Sequence, residues 1–563
     1  MHEKKKVAIA SSFLKLISPL CLCAVLILPK VAAAQNDITY EDAIRFLQQS
    51  TFGATWTDVT SVQSFGYEGW IDGQIAQPSS GWASRPLMPA NPDATCAADP
   101  ACIRDNYRMY PVQQEFFIKA LTQPDQLRQR TVFALDQMWV ISAQLTGNFQ
   151  ASWMGYYLQV LDQGAFGNWR DLMQAVTLSP GMGKYLDMAG NYFVAGRAAN
   201  ENYAREILQL FCVGLDELND DGTPILDPDT GSRLPTYTQD VVVGFSKAFT
   251  GWNLAPPDAG NPNWRDPMVP QAVGNHDHTD KLLLDGVIIP ARVEAECSPT
   301  CAVQELNEAL DNIFANHNVP PFISKQLIQK LVTSNPSPQY VYDITQVFKD
   351  DGTGVRGNLA AVVKAILLHP EARGAPDVNF GKLREPVLMI TNLLRNFGVD
   401  GSTCSTTGNP CTDFVLGEAH QPNYRMDQDV FRSPTVFNFF PPDYPILGGA
   451  LVGPEFAILS TTTTLSRINM LNALFYTGIP IDNGVPNFRP YGTRIDPANL
   501  AAYFTGTDDD LVAGLSQIMT ASTLPDDARG EIVSRISGIA DTTQKAQEAG
   551  YLIATSSSYN VQR

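Results

Sequence analysis

Residues 200–206, Asn-Glu-Asn-Tyr-Ala-Arg-Glu, place carboxylates, amides and a guanidinium on the polar start of an otherwise apolar helical run. Asn202 and Glu206 stand four residues apart, as do Glu201 and Arg205, so each pair shares a helix face. A carboxylate placed there can act as a general base or bind a cation. Asp240, in the first turn of the next long helix, would supply a second carboxylate. The catalytic reading is a Glu206/Asp240 acid–base pair steered by Arg205. The structural reading is a buried ion-pair network tying two helices together, because such networks gather the same residue types.

A second group is His276-Asp277-His278-Thr279-Asp280-Lys281. In extended backbone His276 and His278 point to the same side. That pair suits zinc or copper, with a further ligand from elsewhere. Another route uses His276 as general base, oriented by Asp277 or Lys281. The plain alternative is a solvated loop in which Asp277 pairs with Lys281. His317, His369 and His420 are the other histidines beyond the leader, and His369, before Pro370, is expected to be a C-terminal helix cap.

Glu217-Leu218-Asn219-Asp220-Asp221-Gly222, with Asp227 and Asp229, offers alternating oxygens before a turn glycine, the chemistry of a calcium loop. The EF-hand spacing fails, since the twelfth position from Glu217 is Pro228. Such residues also simply make turns. No G-x-S-x-G, H-E-x-x-H or G-x-x-x-x-G-K-[ST] phrase occurs. Thr250-Gly251-Trp252 and Phe437–Pro442 are aromatic enough to line a sugar or peptide groove, or to pack in the core.

The chain that must position these residues has 563 residues, 44% of them hydrophobic, ample for a large core. Its net charge of −19 argues against a nucleic-acid partner, which needs a basic face. Residues 1–34 carry Lys4-Lys5-Lys6, an apolar run over 14–29 and Ala32-Ala33-Ala34 before Gln35, the pattern of an export signal. No later stretch is long and apolar enough to span a membrane, so no transmembrane segment is expected after cleavage. Export makes local disulfides Cys96–Cys102, Cys297–Cys301 and Cys404–Cys411 the expectation by proximity, leaving Cys212 a buried free thiol.

Hydrophobic periodicity is mostly helical. It predicts helices over 41–49, 57–63, 70–75, 110–121, 126–142, 169–177, 200–213 and 237–250, the last with Thr238 as N-cap. Further helices are expected over 302–314, 320–333, 338–348, 359–368, 383–396, 449–473 and 508–520. A β-hairpin is expected within 216–236, and long irregular loops over 79–101, 253–280 and 399–445. The fold class is therefore mainly α: one large multi-helix body or two packed lobes, with a small hairpin. Residues 35–475 would form the body, and 476–563 a C-terminal loop and helical extension packed on it.

Several phrases resemble the bacterial domain-of-unknown-function family numbered 1800, found in exported proteins. They are RFLQQSTFG at 45–53, LRQRTVFALDQMWV at 127–140, NWRDLMQAVTLSPGMGKYLD at 168–187 and NENYAREILQLFCVGL at 200–215. YTQDVVVGFSKAFTGW at 237–252, HDHTDK at 276–281 and KLREPVLMITNLLRNFG at 382–398 follow in order. After His276-Asp277 the family more often shows a glycine-containing turn, so a metal site using His278 would be peculiar to this chain. The resemblance implies a periplasmic or secreted bacterial protein and a sulfatase-like exported partner. Two functions stand open: a binding or assembly protein at the cell envelope, or an extracytoplasmic hydrolase acting on a polymer through an acid–base or metal site.

Overall fold

The computed structural model describes residues 38–89, 91–96, 102–144, 150–257, 261–272, 274–297, 300–400, 426–479 and 493–563. The export signal, the Cys404–Cys411 pair and His420 lie outside them. Helices begin where a side-chain oxygen can take a backbone N–H that has no intrahelical partner. Thr39, Asn168, Ser337, Asn358 and Thr507 each do so. Ser460 and Thr463 form a reciprocal capping box that starts the Thr461–Asn472 helix. The predicted helix over 449–473 is shorter for that reason, with a 3₁₀ turn at Pro454–Ile458 before it. Thr238 does occupy the N-cap position of Gln239–Ala248 but makes no side-chain cap bond.

The two helices predicted over 57–63 and 70–75 are one element, Trp56–Ala76, bent where Gly66 takes φ 73°. The helix predicted over 126–142 stops at Asp136. Beyond it Ala143 N–H donates to the Phe431 carbonyl, pulling the chain out of the helix. The 200–213 run splits into an α-turn at Asn202–Glu206 and a π-turn at Ile207–Cys212. Ala151–Gly164, Asp526–Ile536 and Thr542–Thr555 are helices that the periodicity reading passed over.

The fold is mainly α. The strands among the described residues form three antiparallel pairs: Trp252–Asn253 with Val269–Pro270, Lys281–Leu282 with Ile288–Ile289, and Lys382–Leu383 with Val561–Gln562. The 216–236 hairpin is held by single bridges, Asp216 to Pro235, Leu218 to Pro224 and Leu226 to Arg233. Residues Ile38–Arg563 form one compact unit. Its first helix meets the C-terminal region directly: Gln48 Nε2 donates to the Met519 carbonyl, and Gln517 Nε2 to Glu41 Oε1. No helix of the described residues is long and apolar enough to cross a membrane.

Cys96–Cys102 and Cys297–Cys301 are disulfides, with Cα separations of 5.4 and 4.9 Å. Cys212 is a free, buried thiol. Disulfides persist in oxidising compartments, which points to an extracytoplasmic protein.

Candidate functional site

The Gln239–Ala248 helix separates the predicted site residues into two groups. Its N-terminal end meets Asn202–Glu206; its C-terminal end leads to Thr250, which holds His276. At 1.5 Å per residue the two ends are roughly 15 Å apart.

At the first end Arg205 pairs with Glu201, not Glu206, at 2.7 Å. Gln239 completes that link by donating to Glu201 and accepting from Arg205. Asp240 is exposed, and no hydrogen bond or ion pair joins it to Glu206. Glu206 is half-buried, and its Oε2 is sealed from solvent without a hydrogen-bond partner. The hydroxyls of Tyr185 and Tyr237 are likewise sealed and unpartnered. Burial pushes the Glu206 carboxyl up, against the pull of Arg205. Burial and the Glu206 charge raise Tyr185, and Tyr237 is pushed up to about 12, mainly by burial. The candidate proton donor or acceptor here is thus Glu206 beside two tyrosines, at the joint where α winding gives way to π. Such π-turns often mark functional sites.

At the second end the residues converge on a group that the sequence reading missed, Glu305. His276 Nε2 lies 2.9 Å and Lys281 Nζ 2.6 Å from Glu305 Oε2. All three side chains are buried. His276 Nδ1 faces the Thr250 carbonyl at 2.9 Å, and Lys281 Nζ also donates to the Thr279 carbonyl. Asp277 turns away from Lys281: its Oδ1 accepts from the N–H and hydroxyl of Thr279, while its own N–H donates to Thr250 Oγ1. Burial alone would raise the Glu305 carboxyl, but hydrogen bonds and charge from His276 and Lys281 hold it below its ordinary value. The signal for Glu305 was present in sequence. It is the lone carboxylate on the apolar stripe Ala302, Leu306, Ala309, Leu310 and Ile313 of the Cys301–Ala315 helix.

Both His276 ring nitrogens are engaged inside the protein, Nδ1 by Thr250 and Nε2 by Glu305, so His276 and His278 do not form the expected ligand pair here. The two rings meet edge to face, 5.3 Å between centroids. Among the described residues, His278, Glu294 and Cys301 alone bring three ligand types together, but the Cys301 sulfur is bonded to Cys297 and is no thiolate. The calcium-loop oxygens disperse. Glu217 pairs with His317, Asp220 with Lys349, and Asp227 caps its own turn at Thr230. The Asp220 carboxyl is held low, first by the Lys349 hydrogen bond. His369 stands at the C-terminal end of Leu359–Leu368, but its side chain caps the start of the next helix, Pro370–Arg373, where its Nδ1 accepts from the Glu371 N–H.

The sequence reading also left unused a buried charged cluster built from the phrases at 127–140 and 382–398. Lys382 Nζ lies 3.0 Å from Glu455 Oε1 and donates to the carbonyls of Gln329 and Lys330. Glu385 Oε2 accepts from Gln137 and Gln428. Arg130 Nη2 donates to the Lys330 carbonyl, and Arg467 Nη1 to the Arg384 carbonyl. Burial draws Arg130 and Arg467 down to about 10 and Lys330 to about 8, each opposed by Glu385 and Glu455.

A family model described as a protein of unknown function (DUF1800) matches residues 45–561. The match runs past residue 475, where the phrases thin out, through the C-terminal helices. No curated protein and no solved structure matches the chain.

Proposed function

From the premise that this chain belongs to the DUF1800 family of proteins of unknown function, we propose that it is an exported protein of binding or assembly, acting with a partner at the bacterial cell envelope. One observation carries this reading: His276, Asp277 and Lys281 are buried and spent inside the fold, on Glu305, Thr250 and Thr279. Their hydrogen bonds and charges fix loops to helices. Removal of residues 1–34 and release into the periplasm or medium belong to the same proposal, as does a sulfatase-like exported partner. N-terminal sequencing of the exported protein should find Gln35 first. Cross-linking in intact cells should join the protein to an exported partner, and Glu206→Gln should leave that yield unchanged.

A second reading, an extracytoplasmic hydrolase, is favoured by Glu206 alone, because its raised carboxyl beside Tyr185 and Tyr237 suits a general acid. The same variant decides between the two. If the wild type cleaves envelope polymers and folded Glu206→Gln does not, the hydrolase stands and the assembly reading falls.

A further inference from the structure

We infer that Arg130, Lys330, Lys382 and Arg467 form an interior binding site for a small oxyanion of the phosphate, sulfate or carboxylate class. Arg130 Nη2 and Lys382 Nζ meet on the Lys330 carbonyl, Arg467 Nη1 lies on the Arg384 carbonyl, and the carboxylates that answer these cations are Glu385 and Glu455. All six residues are buried. An excess of positive charge away from water is costly unless an anion answers it.

The unmet demand is specific in kind. Arg130 Nε and Nη1 and Arg467 Nε and Nη2 are sealed from solvent with no hydrogen-bond partner. Lys330 Nζ sits 4.7 Å from the centre of the Phe440 ring and makes no hydrogen bond or ion pair. Two guanidinium forks and an ammonium want oxygen acceptors carrying negative charge, the features of an oxyanion. A cation is refused by sign, and a neutral sugar would leave the charge excess standing. On the opposing side Gln137 Oε1 and Glu385 Oε1 accept no hydrogen bond, the latter lying 4.0 Å from Lys382 Nζ, and both suit a proton-bearing oxygen of the same ligand.

Residues 428–455 cover the cluster. Gln428 reaches Glu385, Gln329 Nε2 donates to the Pro442 carbonyl at 3.1 Å, and Phe440 lies on Lys330. The anion therefore enters as this segment is displaced, or is enclosed as the chain folds.

The test uses the whole exported protein, purified in chloride and compared with Lys330→Met. That variant removes a charge without breaking a hydrogen bond, so it should fold. Thermal unfolding is followed against inorganic phosphate, sulfate and citrate at constant ionic strength. Protein denatured after desalting is assayed for released anions by ion chromatography. The expected result is a saturable rise in Tm of roughly 2–4 °C for at least one anion, reduced or lost in Lys330→Met. Release of that anion from the wild type would support enclosure during folding. Non-specific salting effects rise without saturation and would be equal in both proteins. A response equal in wild type and variant would place the anion elsewhere and overturn the inference. So would no saturable response together with no released anion.

Discussion

Glu305 is held away from water by hydrogen bonds from His276 and Lys281, so its worth to the fold depends on pH. Its folded carboxyl lies below its ordinary value. The contribution is therefore complete above the unfolded carboxylate pKa of about 4.3 and disappears as pH falls through the folded value. Chemical denaturation across pH 3–6 should show that loss, and Glu305→Gln should show less of it. Lys281→Met leaves the buried carboxylate to His276 alone and should cost about 3 kcal/mol at pH 7 in the same measurement. Asp136 behaves in the opposite sense. It makes no hydrogen bond, and burial pushes it up to about 8. The folded state keeps a proton that the unfolded chain releases near pH 4, so stability falls as pH rises from about 4 to 8. Asp136→Asn should match the wild type near pH 4 and exceed it by at least ~1 kcal/mol at pH 8.

At the scale of elements, the Lys281–Leu282 strand rests on the Gln239–Ala248 helix through Gly244. A Cβ on Gly244 would stand 1.8 Å from the Leu282 carbonyl oxygen, a backbone atom that cannot yield cheaply. Gly244→Ala should push the strand off the helix, carry Lys281 away from Glu305, and cost about 3 kcal/mol or more, read as a lower urea midpoint. Periodicity could find the helix, because Val241, Val242, Phe245 and Ala248 mark its buried stripe. It could not find the strand: two residues carry no period. Helices over 169–177, 359–368 and 508–520 were legible to the residue, each with a capping side chain at its start. The 200–213 run looked uniform because a π-turn has no distinct apolar signature. His276 and Lys281 were legible as polar residues in a loop. Glu305 stood out only as a carboxylate on an apolar helix stripe; its pairing with them did not, since contact across 24 to 29 residues is set by tertiary packing and not by local spacing. Arg130 and Lys382 escaped for the same reason, their neighbours lying on segments far apart in sequence.

For the molecule as a whole, the C-terminal residues are part of the core and not an appendage. Val561–Gln562 pairs with Lys382–Leu383, and Gln562 Nε2 donates to the Leu331 carbonyl, 231 residues away. The Tyr559 hydroxyl donates to the Met389 carbonyl, and the Arg384 guanidinium lies over its ring at 4.4 Å. Deleting residues 557–563 strips these contacts from both ends of the charged cluster. It should lower Tm by several degrees and leave residues 381–384 open to trypsin, which limited proteolysis would show.

The same clasp sets an order of events. A strand at 382–383 that waits for residues 561–562 cannot be closed while the chain is still being synthesised up to that point. The region around 382–383 therefore remains incompletely folded until residues 561–562 have been made and released. Ribosome-arrested chains ending before residue 557 should stay sensitive to protease where released full-length protein resists.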